Sequence, residues 1–173
     1  IGLLEALRGT EVTFRFSGAV PEDSSMVTVK VPPGVADGDR IRLAGKGERG
    51  LGGAPPGDLY LKVTVKPHPL LLRKGDDLVL TLPVTVPEAV LGATVTAPTV
   101  DGEVRVKVPP GSQTGRKLRL KGKGAKNRKT GQHGDLILVL ELRAPEETTE
   151  EVEEAARALE PAYTTDVRAK LRL

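Results

Sequence analysis

The chain has no cysteine and no tryptophan, and only two Phe and two Tyr. Without cysteine there is no disulfide and no thiolate metal site, and with two His a metal centre would have to rest on carboxylates. No run approaches the roughly 18 apolar residues of a membrane span, and Ile1-Gly2-Leu3-Leu4 lacks the basic flank and long apolar stretch of a signal peptide. A soluble, cytoplasmic chain with no membrane partner is expected. With aromatics at 2% of residues, any core has to be built from Val, Leu and Ile, which makes the rare aromatics worth locating. A strong net charge is also missing. The balance is +3, but it is segregated: Arg116 to Lys129 holds eight basic residues and no acidic one, while Glu146 to Glu160 is acidic.

What the chain does have is an internal duplication. Val27-Thr28-Val29-Lys30-Val31-Pro32-Pro33-Gly34 returns as Val104-Arg105-Val106-Lys107-Val108-Pro109-Pro110-Gly111, an offset of 77, and the register holds through Gly57-Asp58-Leu59 and Gly134-Asp135-Leu136. Upstream, Glu5-Ala6-Leu7-Arg8-Gly9 resembles Glu88-Ala89-Val90-Leu91-Gly92 at an offset of 83, so the first copy spends six more residues, near Ser17 to Ser25, before its Val-rich strand. By the same comparison the strand predicted at Leu78 to Val86 should have a counterpart before Ile1, so the chain is expected to begin inside its first domain. Each copy serves as a control for the other: shared residues read as scaffold, and differences as candidates for function.

The Val residues of both copies alternate with Thr, Lys or Arg, the period of a half-exposed antiparallel strand. Pro-Pro-Gly cannot continue a ladder and ends each strand. Short strands with Gly and Pro punctuation predict an all-β chain of two tandem homologous β-sandwich or open-barrel domains plus a short C-terminal α-helix. The expected division is 1–67, 68–145 and a helix with its tail over 146–173. In that last segment Thr148 and Glu151 form a capping box, and Val152, Ala155, Ala156 and Leu159 fall on one helical stripe. A helix of about three turns is marginal alone, so the stripe should dock on the second domain or on another chain.

Several motifs favour structure over chemistry. Gly45-Lys46-Gly47-Glu48-Arg49-Gly50 matches a dinucleotide fingerprint, but the second copy loses the third Gly and no helix pattern follows, so both read as hairpin loops. His68 and His133 have no nearby nucleophile, Asp76-Asp77 sits in a turn, and no catalytic constellation is visible, so no enzyme is expected. The basic run could grip phosphates, yet it lacks an aromatic for base stacking. A basic β module binding nucleic acid or another polyanion is therefore the alternative reading. Phe14 and Phe16 are the only Phe and lie two apart on a predicted strand, hence on one face. The second copy places Ala97 and Thr99 there, so the shared core does not require Phe, and an apolar groove peculiar to the first copy becomes a candidate.

The combination of Leu4-Glu5-Ala6-Leu7-Arg8-Gly9, Val29-Lys30-Val31-Pro32-Pro33-Gly34, His68-Pro69-Leu70-Leu71-Leu72-Arg73-Lys74-Gly75-Asp76-Asp77-Leu78 and the two Gly-Asp-Leu motifs resembles the C-terminal client-binding region of DnaJ-type J-domain co-chaperones. The resemblance is collinear over nearly the whole chain. It implies two β-sandwich domains and a C-terminal dimerisation helix, here carrying Val152, Ala155, Ala156 and Leu159. It further implies a homodimer that captures apolar segments of unfolded polypeptides for transfer to a DnaK-type ATPase. The family's client groove, carried over by position, falls on Phe14, Phe16 and Leu71, with a partner strand before Ile1. The family's J-domain His-Pro-Asp motif is not here, the nearest match being His68-Pro69-Leu70, so this chain alone is not expected to stimulate DnaK. Its cysteine-rich zinc module would fall at Ser17 to Met26; without Cys it is absent, and no cofactor is expected.

Overall fold

The computed structural model describes residues 1–15, 26–48 and 54–169. The first unit opens on helix α1 (Leu3–Arg8), and strand β1 (Thr10–Arg15) then pairs antiparallel with β2 (Met26–Val31). Strands β3 (Arg40–Leu43) and β4 (Leu59–Lys62) form a second antiparallel pair. After β5 (Leu71–Lys74) and β6 (Asp77–Thr85) the pattern repeats, with α2 (Val86–Leu91), β7 (Ala93–Thr99) paired to β8 (Gly102–Val108), β9 (Lys117–Leu120) and β10 (Leu136–Arg143). The repeat is one of geometry as well as sequence: Thr10 faces Val31 as Ala93 faces Val108, each pair related by the offsets 83 and 77.

Both helices are six residues long, and both are fixed locally. The Glu88 carboxylate accepts from the Thr85 N–H while Thr85 Oγ1 accepts from Glu88 N–H; in α1 the Glu5 carboxylate accepts from the Gly2 N–H at 2.7 Å. Each helix stops at a glycine with positive φ, Gly9 at 80° and Gly92 at 81°, beside the carbonyl of the strand two elements on.

The second unit carries the larger core. β10 lies between β9, antiparallel, and β6, in a four-stranded sheet ordered β5-β6-β10-β9. The β6–β10 pair is parallel, where antiparallel sheets were expected. Parallel pairing needs a long crossover and buries both strands, and here Leu78, Leu80, Leu82 and Val84 of β6 and Leu136, Leu138 and Leu140 of β10 are all buried. Each such side chain contributes about 1.5 to 3 kcal/mol. β5 was not predicted either.

The two units share more than a linker. Leu3 and Leu7 of α1 pack in the second unit's core, while Ala6 of the same helix joins the smaller cluster of Val31, Val35 and Val63. The Arg73 guanidinium donates to the carbonyls of Val35 (2.7 Å) and Gly34 (3.0 Å), Arg8 donates to Val100 O (2.9 Å), and Arg128 pairs with Asp39 (3.0 Å).

Helix α3 (Glu150–Leu159) is capped by Thr149, one residue later than the sequence indicated, whose Oγ1 accepts from Val152 N–H. None of its residues is buried; Val152 is half-buried, while Ala155, Ala156 and Leu159 are exposed, and the helix packs chiefly on the 3-10 turn Glu160–Ala162. Its apolar stripe is therefore not docked on the second unit. No helix among the described residues is long and apolar enough to cross a membrane.

Candidate functional site

β1 alternates as the sequence implied, with Thr10, Val12 and Phe14 turned inward and Glu11, Thr13 and Arg15 outward. Phe14 is half-buried and lines an apolar cavity of about 230 Å³ together with Ile1, Val12, Val29, Leu61 and Val63. In the second unit its aligned residue, Ala97, is completely buried. The position equivalent to Phe14 is thus closed in one unit and open in the other. Phe16, and the longer connection near Ser17 to Ser25, lie outside the described residues.

Leu71 is placed elsewhere. It lies on β5, half-buried, against the second unit's core, and lines two cavities at the junction of the units. One, of about 280 Å³, is walled by Leu4, Leu70, Leu71, Leu78, Leu80 and Pro98; the other runs past Leu72, Pro67 and Leu3. Neither of these two cavities contains Phe14, and the cavity beside Phe14 does not contain Leu71. Leu70 and Leu72, not singled out from the sequence, are 69% and 55% exposed. Together with Leu71 they give the junction an apolar rim, and the unbroken run Leu70-Leu71-Leu72 was the signal for it.

The motifs with a chemical look have structural roles. Asp58 Oδ1 accepts from Gly45 N–H (3.0 Å) and its other oxygen from Arg42 (2.5 Å); Asp135 repeats this with Gly122 N–H (2.8 Å) and Arg119 (3.0 Å). The backbone bond to Gly45, followed by Arg42, holds the Asp58 carboxyl below the usual carboxylate range. Gly47 N–H donates to Gly57 O and Gly124 N–H to Gly134 O, both at 2.8 Å. Both Gly-Lys-Gly segments are hairpin loops pinned by the Gly-Asp-Leu motif, which explains why the two motifs recur together. His68 Nδ1 accepts from the N–H groups of Leu70 and Leu71, shaping the entry to β5. His133 Nδ1 lies 3.3 Å from Gly124 O.

The basic run is divided in the same way. Lys117 and Arg119 face outward on β9 while Leu118 and Leu120 face in; Arg119 and Arg128 are held by Asp135 and Asp39. A cleft of about 680 Å³ beside β1 and β2 carries Arg8, Lys30, Arg40, Arg42 and Arg128 with Glu11. Three of these cations are already engaged, Arg8 by a carbonyl and Arg42 and Arg128 by carboxylates. Among the described residues no group of three His, Cys, Asp or Glu is placed to hold a metal ion. With no cysteine anywhere in the chain, the thiolate zinc module cannot form in it.

Comparison with known proteins gives the same answer. The family model "DnaJ C terminal domain" matches residues 1–145. The chain is 48% identical over 146 residues to "Chaperone protein DnaJ 2" of Mycolicibacterium paratuberculosis and 50% identical over 146 residues to "Chaperone protein DnaJ 2" of Nocardia farcinica. It is also 50% identical over 119 residues to "Chaperone protein DnaJ 1" of Mycobacterium leprae. These alignments cover 83%, 83% and 69% of this chain but 37%, 38% and 30% of the relatives, so the chain spans less than two fifths of their length. Helix α3 falls beyond the matched residues.

Proposed function

Because the chain belongs to the DnaJ C-terminal domain family, a family of non-enzymatic chaperones, we propose that it captures apolar segments of unfolded polypeptides on its first unit and holds them for transfer to a DnaK-type ATPase. The observation that carries the reading is the asymmetry of the repeat: where the second unit closes its core over Ala97, the first presents half-buried Phe14 to an apolar opening. Burying one client side chain there contributes about 1.5 to 3 kcal/mol before ordering costs. That magnitude suits weak, promiscuous and releasable capture. Phe16 and the junction residue Leu71 complete the proposed client surface, which then runs from the open face of the first unit towards the apolar rim at Leu70 and Leu72.

The test is suppression of client aggregation by the double variant Phe14→Ser with Phe16→Ser, checked for an unchanged circular dichroism spectrum and melting profile. Loss of suppression is expected, and undiminished suppression contradicts the assignment. The same assay repeated across a salt series separates this reading from polyanion binding, since capture through phosphates weakens steeply with salt and apolar capture does not.

The exposed stripe of α3 supports a second part of the proposal: the chain pairs with another copy through Val152, Ala155, Ala156 and Leu159. A ten-residue helix with no buried residue gains little from local bonds alone, and a second copy would cover the stripe. Deleting everything after Ala144 is expected to halve the mass measured by light scattering. An unchanged mass contradicts this interface.

A further inference from the structure

Helices α1 and α2 are equivalent, and each is anchored to its own unit in the same way. Ala6 and Ala89 are completely buried, and the turn after each Pro-Pro-Gly strand holds the helix: Gly34 N–H donates to Ala6 O and Ser112 N–H to Ala89 O, both at 2.9 Å. The other face of α1 makes the junction between the units. There Leu3 and Leu7 enter the core of the second unit and are 6% and 5% exposed, and Arg8 donates to Val100 O. On α2 the same face is uncovered among the described residues. Val90, the equivalent of Leu7, is 49% exposed; Leu91, the equivalent of Arg8, is 76% exposed; and Val86, the equivalent of Leu3, is half-buried. A single exposed leucine is ordinary. Val86, Val90 and Leu91 instead form one apolar patch at helical spacing, on the positions whose equivalents join the first unit to its neighbour.

What covers the outer face of α1 is the part of the chain that follows its unit. The element that follows the second unit is α3, and its apolar stripe is likewise uncovered. Charge favours the match. The turn that holds α2 runs on to exposed Arg116 and Lys117, whereas α3 carries Glu150, Glu151, Glu153 and Glu154 in its first turns. Because α3 is not docked on the second unit of its own chain, the free α2 face is that of another copy. We infer that α3 of one copy lays Val152, Ala155, Ala156 and Leu159 against Val86, Val90 and Leu91 of a second copy, and that the exchange is mutual. A two-fold pair covers both α2 faces and both α3 stripes at once. The inference rests on the pairing through α3 proposed above and names the surface that receives the helix. One face of a repeated helix then makes both junctions, between units through α1 and between copies through α2.

The chain has no cysteine, so introduced thiols report contacts without interference. Leu91→Cys and Ala155→Cys are made in separate chains, mixed, and treated with a short bis-maleimide. Linkage of one variant to the other, identified by mass spectrometry, should be about tenfold faster than linkage of either like pair, because docking raises the local concentration of the unlike thiols. Faster linkage of two Leu91→Cys chains, or of two Ala155→Cys chains, overturns the exchange of unlike helices. With both cysteines in one chain, linkage at the mass of a single chain overturns the second copy and assigns α3 to its own unit. No linkage in either format overturns the contact. A second variant, Val90→Glu with Leu91→Glu, alters only exposed side chains. Its melting profile should be kept, while the dissociation constant of the pair, measured by light scattering over a dilution series, rises about a hundredfold or more because the new carboxylates would be buried against apolar and acidic groups. An unchanged constant overturns the α2 face as receptor; if deletion after Ala144 still halves the mass, pairing through α3 stands without it. An unchanged mass after that deletion removes the pairing itself.

Discussion

Gly34→Ala is expected to destabilise the protein by about 4 kcal/mol or more, a size reached only by a short list of mechanisms, whereas Gly111→Ala, at the same position of the repeated Pro-Pro-Gly motif, should cost about 1 to 2 kcal/mol. Both residues have positive φ, 85° and 69°, so both substitutions carry backbone strain. Only Gly34 lies against another part of the chain: a Cβ there would collide with the Lys126 carbonyl oxygen, while a Cβ on Gly111 meets nothing within 4 Å. The Lys126 carbonyl is main chain and cannot swing aside. Relief requires moving the second unit away from the first, which also strains the bonds from Arg73 to the Gly34 and Val35 carbonyls. For a fold whose total stability is of order 5 to 15 kcal/mol, this is a large fraction. Equilibrium urea unfolding of the two variants checks the difference, and equal losses would mean that the close approach of the units contributes nothing.

Leu138→Ala should cost about 2 to 5 kcal/mol, the range for a fully buried leucine that leaves a cavity. Its equivalent Leu61→Ala should cost about 1 to 1.5 kcal/mol, because part of that side chain is already in water. Leu138 has no exposed surface and sits on the strand held between β6 and β9; Leu61 sits on a strand that, among the described residues, pairs with β3, and it lines the cavity beside Phe14. The pair measures the same side chain at the same point of the repeat, fully buried in one unit and half-buried in the other. Urea unfolding again reads the difference. If Leu61→Ala proved as costly as Leu138→Ala, the first unit would have to be closed over that position.

The β1–β2 and β7–β8 pairs and the turns after them were legible because period-two alternation and Pro-Pro-Gly report directly on local backbone. The α-helix at the C-terminus was legible for the same reason, through a 3.6-residue stripe. Parallel pairing of β6 with β10 was not, since alternation states which face is buried but not which strand lies alongside. β5 was hidden because Leu70-Leu71-Leu72 shows no alternation and is shaped by His68, whose ring accepts two backbone N–H groups. The same run placed Leu71 at the junction of the units rather than beside Phe14, a matter of tertiary position that spacing does not encode. Nor could spacing reveal that one face of α1 serves the core of the other unit. The asymmetry at Phe14 was readable only because the duplication supplied Ala97 for comparison.

The central claim, that the first unit holds the client, is tested most directly by residue-level hydrogen exchange of the chain with and without a permanently unfolded polypeptide. Slowed exchange, by about tenfold at saturation, is expected within Thr10–Arg15 and at Leu61 and Val63, which line the cavity beside Phe14. The equivalent strands Ala93–Thr99 and Gly102–Val108 should exchange as in the free chain. A footprint on the second unit's strands, or none on either, would contradict the account.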